Sequence, residues 1–243
     1  LNAPHNEIVS YINNLQTVQY VTSNITKTVG SGGDFTTLQD AIDFFGTLIP
    51  NKNAVRGTIM LKSGFRLNEG VRIESKNLGW VDIKSEDPNV MANPNASVSP
   101  PNPADTRQFT ILGSKSTMPN IYCNIVAEAN SVNNYRVLGA FNQSSVEIGG
   151  AGVGVSGGGA IRNENSSGSN PQSIEIAASF CYALDGIFDN ILLNINSNML
   201  FRNGTADNIY VAGYSYIEIS GASYNSLNIP VNTFNSYGIA FDR

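Results

Sequence analysis

Two acidic residues in the C-terminal third, Asp185 and Glu218, are the candidates for catalytic chemistry in this sequence. Glycoside hydrolases use two carboxyl groups, about 5 Å apart in retaining enzymes and about 6.5–9.5 Å apart in inverting enzymes. Arg202 lies between the two residues in the chain, and its guanidinium could hold an acidic sugar group. The pair would act as acid and as base or nucleophile. The same residues also fit the scattered charges that any protein surface carries.

Tyrosines are concentrated in the same region, and we expect several of them on one face. They are Tyr182, Tyr210, Tyr214, Tyr216 and Tyr224. A tyrosine offers a flat apolar ring and a hydroxyl group, a combination that suits stacking against a sugar. Packing between neighbouring subunits, or at corners of the chain, explains the same cluster equally well.

Other kinds of chemistry are excluded by composition. His5 is the only histidine and lies near the N-terminus, so neither a Ser-His-Asp triad nor a two-histidine metal site can be built in the body of the chain. Cys123 and Cys181 have neither zinc nor disulfide-framework spacing, and we expect two buried thiols. We predict no cofactor and no metal. A net charge of −5 argues against nucleic acid, and no apolar run is long enough to span a membrane.

The spacing of apolar residues predicts the fold that would bring the candidate residues together. Four alternating pairs recur along the chain: Ile174/Ile176, Ile191/Leu193, Ile209/Val211 and Leu227/Ile229. Their first members follow a near-constant period of about 17–18 residues. A second series interleaves with them at Leu184, Leu200, Ile217 and Ile239. No crossover helix fits between these strands, so the period favours an all-β parallel solenoid whose coils stack about 4.8 Å apart. An antiparallel sandwich would explain the strands but not the period.

Alternation along each strand then predicts which side chains point outward. In the first series these are Glu175, Leu192, Tyr210 and Asn228. In the second series we expect Asp185, Phe201 and Glu218 at equivalent outward positions. Asp185 and Glu218 would thus lie two coils, or about 10 Å, apart, near the upper limit for a pair that acts through a water molecule.

A short helix is predicted to close the N-terminal end of this solenoid. Leu38, Ala41, Ile42 and Phe45 form one apolar stripe, so we expect a helix over Thr36 to Phe45, capped by Asp34 or Thr36. A glycine-rich turn, residues 30–34, connects it to a preceding strand, because glycine adopts positive φ angles without steric cost.

The residues before this helix form a separate N-terminal segment. Ile8, Ile12 and Leu15 have helical spacing, which suits a coiled coil with other copies or a single helix packed on its own domain. We therefore divide the chain into a helical neck or trimer-contact segment, residues 1–26, and one parallel β-helix domain, residues 27–243. The last predicted coil ends without an evident cap, which is compatible with a chain that continues beyond Arg243.

The stretch VGSGGDFTTLQDAI (residues 29–42) and the strand TIMLKSG (residues 58–64) carry a resemblance to a known group. They resemble the opening of right-handed β-helix proteins of the pectin-lyase-like superfamily. One branch, the pectin methylesterases, fits poorly downstream. The nearest counterpart of its catalytic stretch, residues 183–189, lacks the flanking glycines, and no arginine motif follows.

The chain is more similar to bacteriophage tailspike and tail-fibre proteins. That resemblance implies a homotrimer in the virion tail, associated with other tail proteins, that recognises a bacterial surface polysaccharide, capsule or O-antigen, and depolymerises it by hydrolysis or β-elimination. Two alternatives stay open. One is a non-enzymatic structural or receptor-binding fibre segment, and the other is a carbohydrate esterase of the methylesterase type.

Overall fold

A computed structural model describes residues 19–52, 54–93, 107–113, 116–127, 136–141, 145–148, 160–163, 172–184, 187–194, 196–203, 205–228 and 239–242. The chain is all-β, with one helix within these ranges, α1 (Leu38–Gly46). The described strands form four sheets, and every strand pairing within them is parallel. The antiparallel sandwich is therefore wrong.

The sheets have two, four, eleven and five strands. The two-stranded sheet contains β1 (Gln19–Val21) and β3 (Leu48–Pro50), and the four-stranded sheet contains β2 (Ile25–Val29), β4 (Gly57–Leu61), β7 (Val81–Ser85) and β10 (Asn120–Ile121). The eleven-stranded sheet contains β5 (Arg66–Leu67), β6 (Val71–Glu74), β8 (Asn89–Ala92), β9 (Arg107–Leu112), β11 (Asn124–Ala127), β12 (Arg136–Phe141), β14 (Ala160–Asn163), β15 (Gln172–Ala177), β17 (Ile187–Asn194), β19 (Thr205–Val211) and β21 (Ser223–Asn228). The five-stranded sheet contains β13 (Ser145–Ile148), β16 (Phe180–Leu184), β18 (Asn198–Arg202), β20 (Tyr216–Ser220) and β22 (Ile239–Asp242).

Along the chain, strands of different sheets follow one another in a repeating order. From β4 to β12, each strand of the four-stranded sheet is followed by two short strands of the eleven-stranded sheet. From β13 onward, strands of the five-stranded sheet take the place of those of the four-stranded sheet. The two short strands belong to separate rows, β5-β8-β11-β14 and β6-β9-β12-β15, which both pair with β17. From β17 onward one long strand replaces the two short ones, and it alternates with strands of the five-stranded sheet.

The near-constant spacing of the first apolar series is confirmed by the strand register. Ile174 pairs with Ile191, Ile191 with Ile209, and Ile209 with Leu227. Ile191, Ile209 and their neighbours on the same side belong to a continuous apolar core. The predicted outward column, Glu175, Leu192, Tyr210 and Asn228, is also in register, although Leu192 is almost completely buried.

The second apolar series was predicted out of register, by one residue at Leu200 and by three at Leu184, which pairs with Arg202. Met199, and not Leu200, pairs with Ile217, which in turn pairs with Ile239. Phe201 is fully buried, so its predicted outward position is wrong. The segment Met199-Leu200-Phe201 is continuously apolar, so alternation alone left two registers open. In the folded chain Met199 and Phe201 both enter the core, and Leu200 faces outward, half-buried. Ile217 is buried, as predicted.

The helix α1 packs on the apolar core beside β2, β3 and β6. Its buried residues are the predicted stripe, Leu38, Ala41, Ile42 and Phe45. The N-cap is Thr37, not Asp34 or Thr36: its Oγ1 accepts a hydrogen bond from the backbone N–H of Asp40. Asp34 instead binds the strand before the turn, where it accepts hydrogen bonds from the backbone N–H and Oγ1 of Thr28.

The contacts of Asp34 make the stability of this end dependent on pH. Hydrogen bonds from Lys27 and then Thr28 hold the pKa of the Asp34 carboxyl well below its usual value of 3.8. A carboxyl whose pKa is lowered by folding stabilises the protein above its unfolded-state pKa, and this contribution is lost as the pH falls through the folded-state pKa. We therefore expect Asp34→Ala to lower the unfolding midpoint at pH 7, with the difference from wild type shrinking below about pH 4.

Thermal unfolding followed by circular dichroism between about pH 2 and 7 measures this difference. Ser31→Ala, in the same turn and exposed, is the control and should change little. The pKa of the Glu69 carboxyl shifts in the opposite direction to that of Asp34. Burial raises it, although the carboxyl accepts hydrogen bonds from the first backbone N–H groups of α1. An Asp34→Ala deficit that is independent of pH would contradict the assignment.

Both cysteines are buried and free, as expected. Burial raises the pKa of the Cys123 and Cys181 thiols to about 12, so neither is a reactive thiolate at neutral pH. Among the described residues no helix is long and apolar enough to cross a membrane.

Candidate functional site

Three of the candidate residues, Arg202, Tyr216 and Glu218, meet on the outward face of the five-stranded sheet. Side chains alternate along β18 and β20, with Met199, Phe201, Ile217 and Ile219 buried on one side. The other side presents Asn198, Leu200 and Arg202 from β18, and Tyr216, Glu218 and Ser220 from β20. We call these six residues the outer face. Because the strands are parallel and in register, Asn198 lies beside Tyr216, and Leu200 beside Glu218.

An ion pair crosses the outer face diagonally. Arg202 Nη2 donates a hydrogen bond to Glu218 Oε1 at 3.2 Å. Both side chains remain partly exposed, so the pair contributes little to stability, about 0–1 kcal/mol. Its importance is geometric, because it holds a carboxylate and a guanidinium together on an accessible surface.

The second predicted catalytic residue, Asp185, lies outside the described residues, so its distance from Glu218 stays a prediction. The expected equivalence of the two positions is wrong, because the β16 residue equivalent to Glu218 is Tyr182. The register nevertheless defines the column that contains Glu218. Leu200 and Tyr182 precede Glu218 in that column, and Ala240 follows it. The expectation that Phe201 shares an outward column with Glu218 is wrong, because Phe201 pairs with the inward Ile219.

The tyrosines that were predicted to cluster lie at one corner and on strands of two different sheets. Tyr214 is 52% exposed at the turn between β19 and β20, and Tyr210 is 38% exposed on β19 just before that turn. Tyr216 begins β20 and is half-buried. Tyr224, on β21, packs against the apolar core and does not join them. Tyr182 occupies the Glu218 column two strands away.

A repeated corner positions these tyrosines, and sequence reasoning missed it. Ala178, Asn196 and Tyr214 recur at equal intervals along the chain, and all three have positive φ angles, of 49°, 55° and 62°. Each is followed by a buried serine: Ser179, Ser197 and Ser215. The corners are stacked by hydrogen bonds, such as those from the backbone N–H of Asn196 to the Gly213 carbonyl and from the Ser197 N–H to Ser215 Oγ. In the sequence, this corner is visible as a serine that recurs at equal intervals, at Ser179, Ser197 and Ser215.

The left-handed backbone at this corner turns Tyr214 away from the core. Non-glycine residues rarely adopt positive φ, and a bulky tyrosine there is unusual. Phe180, which is 40% exposed, begins β16 in the same column as Asn198 and Tyr216. Aromatic rings therefore line the edge of the outer face along the corner, from Phe180 to Tyr216 and Tyr214.

A second polar column lies on the eleven-stranded sheet and was also not predicted. Asp189, Asp207 and Asn225 each directly follow a residue of one register column in neighbouring strands, since Phe188 pairs with Ala206 and Ala206 with Tyr224. Asn225 Nδ2 donates a hydrogen bond to Asp207 Oδ1 at 2.9 Å, and in the next column Ser226 Oγ donates one to Asn208 Oδ1 at 2.5 Å. The described residues contain no group of three or more acidic, histidine or cysteine side chains placed to hold a metal ion.

These features together can bind a polar polymer with apolar ring faces. Aromatic rings supply stacking surfaces, Asn198 and Ser220 supply neutral hydrogen-bonding groups, and Arg202 and Glu218 supply one charge of each sign. The neighbouring strands extend this surface along the stacking direction. Comparison with protein families finds no family model that matches the chain. A search of curated proteins likewise finds no significant match.

Proposed function

We propose that the chain is a right-handed parallel β-helix in which α1 covers the N-terminal end of the core. Two features support this: the exclusively parallel pairing of the described strands, and the repeated return of the chain to the same sheet at a near-constant offset in the C-terminal third. In a β-helix, residues distant in sequence become neighbours about 4.8 Å apart, as Leu200 and Glu218 are.

Its function, in our proposal, is to recognise a bacterial surface polysaccharide as a module of a bacteriophage tailspike or tail fibre. The observation that carries the proposal is the outer face together with the aromatic edge beside it. The outer face supplies neutral polar groups and the Arg202–Glu218 pair, and Phe180 and Tyr214 add exposed rings along the corner. A regular stack of strands suits a repeating ligand, because equivalent positions recur at constant spacing. The proposal includes a homotrimer in the virion tail that contacts other tail proteins.

Depolymerisation of the bound polysaccharide is the catalytic extension of this proposal. Glu218 is held beside the Arg202 guanidinium, and a carboxylate suits the role of base or nucleophile. Asp185 would then serve as the acid. In a β-elimination Glu218 would take the proton from the carbon next to the sugar carboxyl group, and Arg202 would bind that carboxyl group. A C=C bond would form as the C–O bond to the neighbouring sugar breaks, and Asp185 would protonate the leaving oxygen.

The binding proposal is tested with a panel of purified capsular polysaccharides and O-antigens, using the full chain. We expect Tyr214→Ala and Tyr210→Ala each to weaken binding about two- to tenfold, since an aromatic contact contributes about 0.5–1.5 kcal/mol. Tyr20→Ala removes a tyrosine from β1 that is more exposed, at 68%, and distant in the chain, and it should leave the affinity unchanged. If neither Tyr214→Ala nor Tyr210→Ala changes the affinity, the outer face and its aromatic edge are not the binding site.

Product analysis separates the enzyme from the alternatives. New reducing ends indicate hydrolysis, and unsaturated sugars indicate β-elimination. Release of acetate or methanol would favour the esterase. Binding without any product supports the non-enzymatic receptor-binding segment. If cleavage occurs, Glu218→Gln should abolish it and retain binding, because the amide keeps the shape of the side chain but loses the base.

A further inference from the structure

Tyr214 has a backbone conformation that few side chains tolerate. Its φ angle is 62°, in the left-handed region, where the Cβ atom is crowded by the backbone. Glycine avoids this crowding and asparagine tolerates it, but a bulky residue there raises the free energy of the folded state. The corner between β19 and β20 therefore carries strain at Tyr214.

Two neighbouring corners have the same geometry with smaller residues. Ala178 and Asn196 precede Tyr214 at equal intervals in the chain, and their φ angles are 49° and 55°. Each of the three residues is followed by a buried serine, so the three positions are equivalent. Asparagine is thus accommodated at a corner of this kind, and the corner does not need a tyrosine in order to form.

Hydrogen bonds on both sides of Tyr214 prevent its corner from relaxing. Before it, the Gly213 carbonyl accepts a hydrogen bond from the backbone N–H of Asn196 at 2.7 Å. After it, the backbone N–H of Tyr216 donates a hydrogen bond to the Ser197 carbonyl at 2.8 Å. The contacts with the preceding corner therefore hold Tyr214 in the left-handed conformation, and the strain persists.

Burial of the ring does not offset this strain. Tyr214 is 52% exposed, more than the two other exposed aromatic residues near this edge, Tyr210 at 38% and Phe180 at 40%. A ring that is half in water contributes less hydrophobic stabilisation than a buried one. Backbone strain of this kind is concentrated at sites that contact a ligand. Folding alone does not account for a tyrosine at this corner, whereas contact with a ligand does.

We propose that Tyr214 is a ligand-contact residue whose strained corner pre-orients its ring for the saccharide and lowers the stability of the fold. The fixed corner sets the direction of the Cα–Cβ bond, so the ring loses fewer orientations when a ligand binds. This inference rests on the polysaccharide binding proposed above. It adds that stability and affinity are opposed at this position.

Tyr214→Asn in the full chain tests the inference, because it places the residue of the preceding corner at this one. Without ligand, we expect the midpoint of thermal unfolding, followed by circular dichroism, to rise by about 2–4 °C. Binding is measured by titration calorimetry with the capsular polysaccharide or O-antigen of the panel that the wild type binds most tightly. We expect the affinity to fall about two- to tenfold.

Two control variants separate relief of strain from loss of an exposed ring. Tyr210→Asn removes an exposed tyrosine whose φ angle is not positive, so it should weaken binding without raising the unfolding midpoint. Asn196→Tyr makes the reciprocal change at the equivalent corner. It should lower the midpoint by about as much as Tyr214→Asn raises it.

The unfolding measurement needs no ligand, so it distinguishes failure of this inference from failure of the proposed function. An unchanged or lower midpoint for Tyr214→Asn would overturn the inference, and polysaccharide binding by the wild type would still stand. A raised midpoint with unchanged affinity would overturn it as well, because the strain would then serve no ligand. If the wild type binds no member of the panel, the proposed function fails, and the ligand contact of Tyr214 fails with it.

Discussion

Replacing Phe201 by alanine is expected to lower the free energy of unfolding by about 3–5 kcal/mol. Phe201 is fully buried, and its ring centroid lies 5.7 Å from that of Phe188, another buried aromatic residue. Removing the ring leaves a cavity between β17 and β18 that the stacked strands cannot collapse to fill, since each is held by hydrogen bonds on both edges. Urea unfolding monitored by circular dichroism measures the loss.

Leu200→Ala is the matched control, one residue away on the other side of the same strand. Leu200 faces outward and is half-buried, so the expected cost is about 1 kcal/mol. The comparison distinguishes the two registers that the sequence left open. A larger loss from Leu200→Ala than from Phe201→Ala would mean that Leu200, and not Phe201, faces the core. Leu200 would then no longer lie beside Glu218 on the outer face.

Gly57→Ala is expected to destabilise the protein by about 1–3 kcal/mol, although it adds a single methyl group. That methyl would lie 2.6 Å from Phe45 Cε1 and 3.0 Å from Trp80 Cζ3. Both rings are buried and pack edge-on with centroids 5.6 Å apart, so neither can move without disturbing the contact between α1 and the first strands. The close approach of β4 to the rings explains why glycine occupies this position.

The control for this prediction is Gly79→Ala. A methyl group there would come no closer than 3.7 Å to its nearest neighbour, Thr117 Oγ1, which is ordinary contact. We expect a change within about 0.5 kcal/mol. Thermal and urea unfolding of the two variants side by side make the comparison, and equal losses would show that crowding at Phe45 is not the cause.

Much of the framework of the site was predictable from repeats. The Ile174, Ile191, Ile209 and Leu227 column was correct because polar residues or a tyrosine separate the apolar pairs in three of the four strands, which restricts those strands to one orientation. The near-constant period extends that orientation to Ile191, although Leu192 is also apolar. Tyr210 and Tyr214 were recognised as exposed aromatic residues of one region. The corner serines were equally visible in the sequence, but a polar residue that repeats once in each coil was not interpreted as a buried hydrogen-bonding group.

The Arg202–Glu218 contact could not be derived in this way. Arg202 and Glu218 belong to different strands, and they meet because Arg202 lies two positions beyond the residue that pairs with Glu218. A register error of one residue, as in the second apolar series, moves the ion pair to another column. The N-cap of α1 is a similar case, because Thr36 and Thr37 are chemically equivalent and only the path of the chain into the helix selects Thr37.

The sequence by itself determined the all-β class, the near-constant repeat of the apolar pairs, the apolar stripe of α1 and the burial of both cysteines. These properties depend on the type and periodicity of residues close together in the chain. The tertiary structure decided the orientation of β18, the partner of Glu218 and the capping residue of α1. Those choices depend on which side chains of adjacent strands pack best together, and a strand with three consecutive apolar residues has no local preference between its two faces.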